Sequence, residues 1–216
     1  MSYFPGQPFG AEAFATGRDG IMRSGWQGTI VDAARGREIV ADYIKYMELD
    51  PPPGPSWDYR SFDFDTDPAR MTKFAAQFNA TNPDLQALKR RGGKIIHYHG
   101  WADSVATALM SIDYYESVLQ KMGRQETREF YRLFLIPGMF HCRGGVGCDT
   151  VDWLTPIIDW VEKGTAPEKI NGARVVGGET KRTRPLCPYP AVAEFKGTGN
   201  IDAAENFTCR VKSESR

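Results

Sequence analysis

The stretch KIIHYHGWAD, residues 94–103, combines a short run of β-branched and aromatic residues with a glycine that ends it. Such a run, entered through Gly92-Gly93 and stopped at Gly100, is typical of a buried strand. Asp103 then lies on a loop just beyond the end of that strand. Loops carried by a rigid scaffold are where functional side chains are commonly found. The stretch therefore predicts a strand with a candidate functional aspartate behind it.

The residues that follow predict a helix and a second strand. The helix begins near Thr107, carries one apolar face and is stopped by Gly123. EFYRLFLI, residues 129–136, is the second hydrophobic strand, and Pro137-Gly138 ends it. A further helix is predicted within VDWLTPIIDWVEK, where Pro156 makes the start ambiguous and Gly164 marks the end. Its inward residues are predicted to be Leu154, Ile157, Ile158 and Val161.

Strand, helix, strand and helix with short connections form the pattern of a parallel α/β sheet. Because two strands cannot make such a sheet, residues 82–216 are expected to be the end of a larger one. Residues 1–81 differ, with the runs PGQPFG, LDPPPGPSWD and WDYRSFDFDTD. Two helices are predicted there, Thr29–Met47 and Asp67–Phe78, and Pro68 suits the first turn of the second.

The composition excludes several classes of protein. The 27 basic and 27 acidic residues cancel, so no strong field points to a nucleic-acid partner. No apolar run approaches the roughly 20 residues of a membrane helix, and no membrane partner is expected. The start, MSYFPGQPFG, lacks the basic flank and apolar stretch of a signal peptide. These features alone favour an ordinary globular protein.

The four cysteines point to an oxidising compartment. Cys187 and Cys209 flank a Pro-, Gly- and Asn-rich tail, and such a tail is commonly held by a disulfide. Four unrelated buried thiols are the alternative. No CxxC pair exists, and His141 is the only histidine near Cys142 and Cys148, so no metal site is expected.

Two loops carry the candidate chemistry. Asp103 follows the first strand and His141, in GMFHC, follows the second. The carboxyl ends of parallel strands are where catalytic residues gather, and Asp before His is the order in α/β-hydrolases. There the aspartate orients the imidazole, which takes the proton of a serine. Two structural alternatives stay open: Asp103 caps the helix near Thr107, and His141 is satisfied by backbone groups.

The sequence contains no nucleophile for this pair. Neither GxSxG nor GxCxG occurs anywhere in the chain. Ser104 adjoins Asp103 but lies on no strand-turn-helix elbow, and Ser24 has the wrong neighbours. His97 and His99 alternate within the first strand and are expected to be buried, hydrogen-bonded residues.

Four segments closely resemble the tannase and feruloyl esterase family, to which plastic-monomer ester hydrolases of the MHETase type belong. They are GGKIIHYHGWAD, YYESVLQKMG, LFLIPGMFHCRGGVG and RPLCPYPAVAEFKGTGNIDAAENFTC. The resemblance implies a carboxylic ester hydrolase that acts on small aromatic acid esters through a Ser-His-Asp triad. Asp103 and His141 would belong to the triad, and the serine would lie outside this chain. A non-catalytic α/β-hydrolase-like binding domain is the alternative.

The resemblance also implies how the parts are arranged. A cysteine that follows the histidine forms a disulfide with a cysteine that precedes the serine, so Cys142 is expected to lack its partner here. A lid domain lies between serine and aspartate, and residues 1–81 resemble its closing part. The chain would thus be a C-terminal portion of a secreted or periplasmic enzyme. The lid calcium site of the family would lie upstream, with no cofactor in this chain. Candidates for lining a pocket are Trp26, Trp57 and Trp101, although core packing is the favoured interpretation of each.

Overall fold

A computed structural model describes residues 5–12, 15–16, 22–23, 25 and 34–211 of the 216-residue chain. The chain divides into two compact units, one of residues 28–82 and one of residues 1–27 and 83–216. Two short strands, β1 (Ala15–Thr16) and β2 (Met22–Arg23), pair antiparallel. Within the described ranges, no helix is long and apolar enough to cross a membrane.

The unit of residues 28–82 is built from helices and turns. Helix α1 spans Ala34–Tyr43 and runs into a π-helical turn, Ile44–Glu48, and a 3-10 turn covers Tyr59–Ser61. Helix α2 spans Asp67–Phe78, as the sequence predicts. The first five residues of the helix predicted over Thr29–Met47 lie outside the described residues, and from position 34 onward it is confirmed.

The second unit contains a strand-helix-strand motif that positions the candidate site. Its strands β3 and β4 are parallel, in register from Ile95 opposite Tyr131 to Gly100 opposite Ile136. Thr107 caps the crossover helix by accepting a hydrogen bond from the backbone N–H of Leu109. The elements in order are α3 (Gln86–Arg90), β3 (Ile95–Gly100), α4 (Ala108–Met122), α5 (Arg124–Arg128) and β4 (Tyr131–Ile136).

The core of this motif lies between α4 and the two strands. Seven buried side chains form this core. Because fully burying one large apolar side chain contributes about 1.5–3 kcal/mol, the cluster fixes the crossover helix against the sheet. Gly123, with φ of 86°, ends the helix where the sequence predicts. The buried members are Tyr115, Val118, Leu119, Met122, Phe130, Tyr131 and Leu133.

The C-terminal part contains antiparallel strands that the sequence interpretation missed. One sheet has the order β5-β6-β7, and β8 pairs with β9. The disulfide predicted between Cys187 and Cys209 is present, with a Cα–Cα distance of 5.6 Å. The elements are β5 (Thr150–Val151), α6 (Leu154–Lys163), β6 (Ile170–Val176), β7 (Glu179–Leu186), β8 (Ala191–Phe195), a 3-10 turn (Ala204–Asn206) and β9 (Phe207–Val211).

The predicted inward face of α6 is wrong for three of its four residues. Leu154 is 66% exposed, and Ile158 and Val161 are also exposed, whereas Trp160 is buried. Among the described residues, none buries these three side chains. The apolar pattern of the helix was identified correctly, but the side it buries was not.

Candidate active site

The two predicted residues meet at one edge of the parallel strand pair. Asp103 follows β3 and His141 follows β4, so parallel pairing brings both loops to the same edge. Nδ1 of His141 lies 2.8 Å from Oδ2 of Asp103. The carboxylate and the imidazole are therefore within hydrogen-bond distance at the strand ends where the sequence predicts a site.

The carboxylate of Asp103 is held by the protein on both oxygens. Oδ1 accepts hydrogen bonds from the backbone N–H groups of Val105 (2.8 Å) and Ala106 (3.0 Å). Asp103 thus caps a turn as well as contacting His141, while Thr107 caps α4 itself. Burial works to raise the pKa of Asp103, but contacts with His99, Ala106, His141 and Val105 outweigh it and lower the pKa to about 2. The side chain is ionised at neutral pH.

This ionisation fixes the tautomer of His141. A carboxylate accepts only, so the proton must be on Nδ1 of the neutral ring, which leaves the Nε2 lone pair as a base. The side chain of His141 is 54% exposed, and Asp103 is its hydrogen-bond partner among the described residues. The alternative in which backbone groups satisfy His141 is therefore wrong.

The loop after β4 is shaped by its own backbone. Met139 bridges Gly145, and the N–H of Gly147 donates to the carbonyl of Gly138 at 3.1 Å. A Cβ on Gly145 would lie 2.1 Å from that same carbonyl, so the crossing of the two loop arms requires glycine. The run RGGVG after His141 is thus explained by close backbone approach.

A second close approach joins the two loops. A Cβ on Gly100 would lie 2.5 Å from the backbone oxygens of both Met139 and Phe140. The N–H of Ala102 donates to the carbonyl of Met139 at 3.0 Å. Gly100 therefore ends β3 and also lets the loop that carries His141 cross directly above it.

Residues 5–12 support the Asp103 loop. The sequence did not reveal this support. The indole N–H of Trp101 donates to the carbonyl of Phe9, and the hydroxyl of Thr107 donates to the carbonyl of Gly6, both at 2.8 Å. Ala11 is buried with Ala102 and Phe140. No sequence pattern marks these contacts, because they are made largely by backbone carbonyls.

The structure describes some of the other candidate residues. Trp26 and Ser24 lie outside the described residues, and Trp57 belongs to the unit of residues 28–82. Ser104 is buried in the loop after β3. In the described ranges, no group of three or more His, Cys, Asp or Glu side chains is placed to hold a metal ion.

The two cysteines without a disulfide differ in environment. Cys142 is exposed and has φ of 62°, the one described non-glycine residue with a positive φ. Cys148 is buried, with its sulfur 3.8 Å from the carbonyl of Arg182, and burial raises the pKa of its thiol. The strained residue is thus the one that directly follows the candidate base.

An apolar groove lies on the other side of β3. Tyr98 and Trp153 stack there with ring centroids 4.5 Å apart. The groove does not include Asp103 or His141, so it is separate from the candidate site. Its lining residues are Lys94, Ile95, Ile96, Tyr98, Trp153, Leu154 and Ile157.

Comparison with known proteins agrees with the family that the sequence motifs indicate. Residues 2–210 match the family described as tannase and feruloyl esterase. The chain belongs to this family. It is 40% identical over 207 residues to a mono(2-hydroxyethyl) terephthalate hydrolase from Piscinibacter sakaiensis, which covers 87% of this chain and 34% of the relative. A probable feruloyl esterase from Arthroderma benhamiae is 42% identical over 134 residues, covering 60% of this chain and 25% of the relative.

Solved structures extend the tannase-family likeness to the fold. An esterase from Aspergillus oryzae has a TM-score of 0.69 at 33% identity, covering 79% of this chain and 37% of that one. Feruloyl esterase B from the same organism has a TM-score of 0.68 at 28% identity, covering 79% and 36%. The fold is thus a mixed α/β fold shared with these esterases. The chain spans about a third of the length of the curated relative from Piscinibacter sakaiensis.

Proposed function

We propose that this chain carries the aspartate and histidine of a carboxylic ester hydrolase that cleaves small esters of aromatic acids. The observation that supports this most directly is the 2.8 Å hydrogen bond between Asp103 and His141 at the carboxyl edge of two parallel strands. The nucleophilic serine, in this proposal, belongs to a segment outside these 216 residues. The substrate class is supported by the names of the relatives, which include feruloyl esterases and a terephthalate ester hydrolase.

The chemistry follows from the tautomer of His141. Its Nε2 takes the proton of the serine hydroxyl while the serine oxygen attacks the ester carbonyl, and the resulting imidazolium is stabilised by ionised Asp103. The proton then passes from Nε2 to the departing alcohol, leaving an acyl-enzyme. Water repeats the sequence with the acyl group and restores the serine. The exposed imidazole is suited to this role because its Nε2 must reach both the serine and the leaving group.

Cys142 has a place in the same proposal. We assign it to a disulfide with a cysteine that directly precedes the serine, which would tie the base loop to the nucleophile. Its exposed thiol and its left-handed backbone conformation next to His141 support this assignment. The Cys187–Cys209 disulfide supports an oxidising compartment, secreted or periplasmic.

The remaining parts are assigned by the same reasoning. In this proposal, residues 1–81 form the closing part of a lid and residues 82–216 form the end of the hydrolase sheet, although residues 1–27 belong to the same compact unit as residues 83–216. The helical unit of residues 28–82 supports a separate lid segment. The exposed apolar residues of α6 support a neighbouring layer supplied by the rest of the protein.

The test uses the complete enzyme that contains these residues, assayed on methyl ferulate and on a terephthalate monoester. Asp103→Asn should lower kcat by about 10⁴-fold with little change in KM, because the amide favours the wrong tautomer of His141. His141→Ala should cost a similar factor. Asp159→Asn is the matched control, since Asp159 pairs with Lys163 on α6, away from the site, and should leave kcat unchanged.

Two outcomes would contradict the proposal. One is an Asp103→Asn enzyme that keeps more than a tenth of its kcat, which would favour the non-catalytic binding domain or a different site. The other is hydrolysis of p-nitrophenyl acetate by the 216-residue chain alone that disappears in His141→Ala. That result would place the nucleophile within this chain.

A further inference from the structure

A continuous set of hydrogen bonds lies behind Asp103 and runs into the core. Nδ1 of His99 is 2.7 Å from Oγ of Ser111, and that oxygen is 3.1 Å from Nε2 of His97. Nδ1 of His97 is 2.8 Å from the hydroxyl of Tyr131, which is fully buried. At the other end, Nε2 of His99 is 2.7 Å from the carbonyl of Ala106 and 3.4 Å from Oδ2 of Asp103. We call His99, Ser111, His97 and Tyr131 the relay.

While the ring of His99 is neutral, the acceptors at one end determine the direction of every proton in the relay. Nε2 of His99 faces two oxygens that only accept, so it must carry the proton, and Nδ1 of the neutral ring must accept from Ser111. The oxygen of Ser111 then accepts from Nε2 of His97. Nδ1 of His97 therefore accepts from the hydroxyl of Tyr131. Each donor has one acceptor, and all donors point toward Asp103.

The pKa shifts of His97 and Tyr131 agree with this order, which applies to the neutral form of His99. Burial, together with an electrostatic contribution from His99, lowers the pKa of His97 to about 4, so this ring is neutral at pH 7. Burial raises the pKa of Tyr131, which keeps the hydroxyl proton in place. For His99, burial works to lower the pKa, but Asp103 and the carbonyl of Ala106 outweigh it and raise the pKa.

We propose that His99 is a positioning residue for the catalytic pair, fixed in its Nε2–H tautomer by the relay and acting through both Ala106 and Asp103. Its N–H donates to the carbonyl of Ala106, whose own N–H donates to Oδ1 of Asp103. At 3.4 Å its contact with Oδ2 is long for a hydrogen bond, so we treat that contact as electrostatic. His99 thus holds the turn that orients Asp103 and stabilises the charge of the oxygen that binds His141.

The pair is catalytic only if the proposed function holds, so the inference rests on that function. The test of the positioning role does not require activity. The chain contains three histidines, so a sample labelled with ¹⁵N-histidine gives three imidazole spin systems. In the wild-type chain at neutral pH, the neutral forms of His97 and His99 should both carry their proton on Nε2, whereas neutral His141 should carry it on Nδ1. A neutral His99 protonated on Nδ1 would overturn the inference without any variant.

Two substitutions at position 99 separate positioning from packing. His99→Phe fills the ring volume without donor or acceptor, and His99→Gln keeps an N–H donor near Nε2. His99→Phe should move the low-field Nδ1–H resonance of His141, and His99→Gln should largely restore it. Tyr98→Phe is the matched control, since Tyr98 lies on the opposite face of β3 against Trp153 and should leave the resonance in place.

The kinetic counterpart uses the complete enzyme. His99→Phe should lower kcat by roughly 10- to 100-fold with KM little changed, since small displacements of a catalytic group have effects of this size. His99→Gln should recover most of that loss. Equal effects of both substitutions on the resonance and on kcat would mean that His99 only fills space. If Asp103→Asn stays active while the resonance responds as expected, the proposed function fails and the positioning role of His99 stands.

Discussion

The two members of the candidate pair are held in opposite ways. The Asp103 side chain is 5% exposed, and backbone N–H groups of its own turn, His99 and His141 surround it. The His141 side chain is 54% exposed, and among the described residues it is held by Asp103. The aspartate side of the site is therefore complete within the described residues, whereas the histidine side is open to solvent.

The difference has a local cause in the two loops. The Asp103 loop is covered by residues 5–12 and by the relay on β3 and α4. The His141 loop is held at its base, where Arg174 donates to the carbonyl of Gly145 and the N–H of Gly144 donates to Asp149 at 2.8 Å. Its tip carries His141 and Cys142. One loop is thus covered by other parts of the chain, whereas the other exposes His141 and Cys142 at its tip.

The largest expected effect comes from forcing the two loops apart. In Gly100→Ala, the added Cβ would lie 2.5 Å from two backbone oxygens of the His141 loop, which cannot move as a flexible side chain does. We expect a loss of about 3 kcal/mol in the free energy of unfolding, measured with urea, and displacement of the His141 Nδ1–H resonance.

Gly93→Ala provides the control for this substitution. Its Cβ would meet mainly the side chain of Leu88, at 2.8 Å, which can give way at smaller cost. If both variants lost the same stability, close approach of the two loops would not be what requires glycine at position 100.

Lowering the pH should reduce the free energy of unfolding through Asp103, by less than Gly100→Ala does. The pKa of Asp103 is about 2 in the folded chain against 3.8 for an unperturbed aspartate, so ionised Asp103 stabilises the fold above pH 4. As pH falls from 4 toward 2, the unfolded chain takes up this proton while the folded chain stays ionised, so about 2 kcal/mol of stability is lost. Urea unfolding at a series of pH values measures this loss.

Asp103→Asn isolates the contribution of this one carboxyl group. Its free energy of unfolding should change less steeply between pH 4 and 2, by about the same 2 kcal/mol. Parallel curves for the variant and the wild type would mean that Asp103 keeps an ordinary pKa and is less well held than its contacts indicate.

The smallest expected effect on stability comes from Cys142, on the loop that carries His141. Cys142 adopts a left-handed backbone conformation that costs an L-residue roughly 1–2 kcal/mol and glycine nothing. Cys142→Gly should therefore stabilise the 216-residue chain by about 1 kcal/mol. Cys142→Ser, which keeps the Cβ, should give no gain. A gain of the same size from serine would mean that the thiol, and not the backbone, is unfavourable at this position.

The sequence predicted the parts of the fold that follow from local patterns. The glycine before and after KIIHYH, the apolar face of α4 and Pro68 each have a local physical meaning, and β3, α4 and α2 are confirmed. The strands β6 to β9 were missed because their apolar residues are interrupted by charged and turn-forming ones. Their pairing depends on partners distant in the sequence.

The site was predictable only as far as strand order allowed. Parallel pairing of consecutive strands places Asp103 and His141 together, and loop positions after each strand were enough to find them. The roles of Ala106 and Gly6 were not readable, because backbone carbonyls leave no mark in a sequence. His99 was recognised as a hydrogen-bonded strand residue, but its link to Asp103 requires the turn of the following loop.

The strand-helix-strand motif also has a consequence for how such a site is inherited. Asp103, its supporting histidine and His141 all lie within residues 95–141, a single supersecondary unit with its own core. Recombination, insertion or circular permutation at exposed loops on either side of this unit would move all three together. The aspartate and the histidine would therefore be transferred together, as one module.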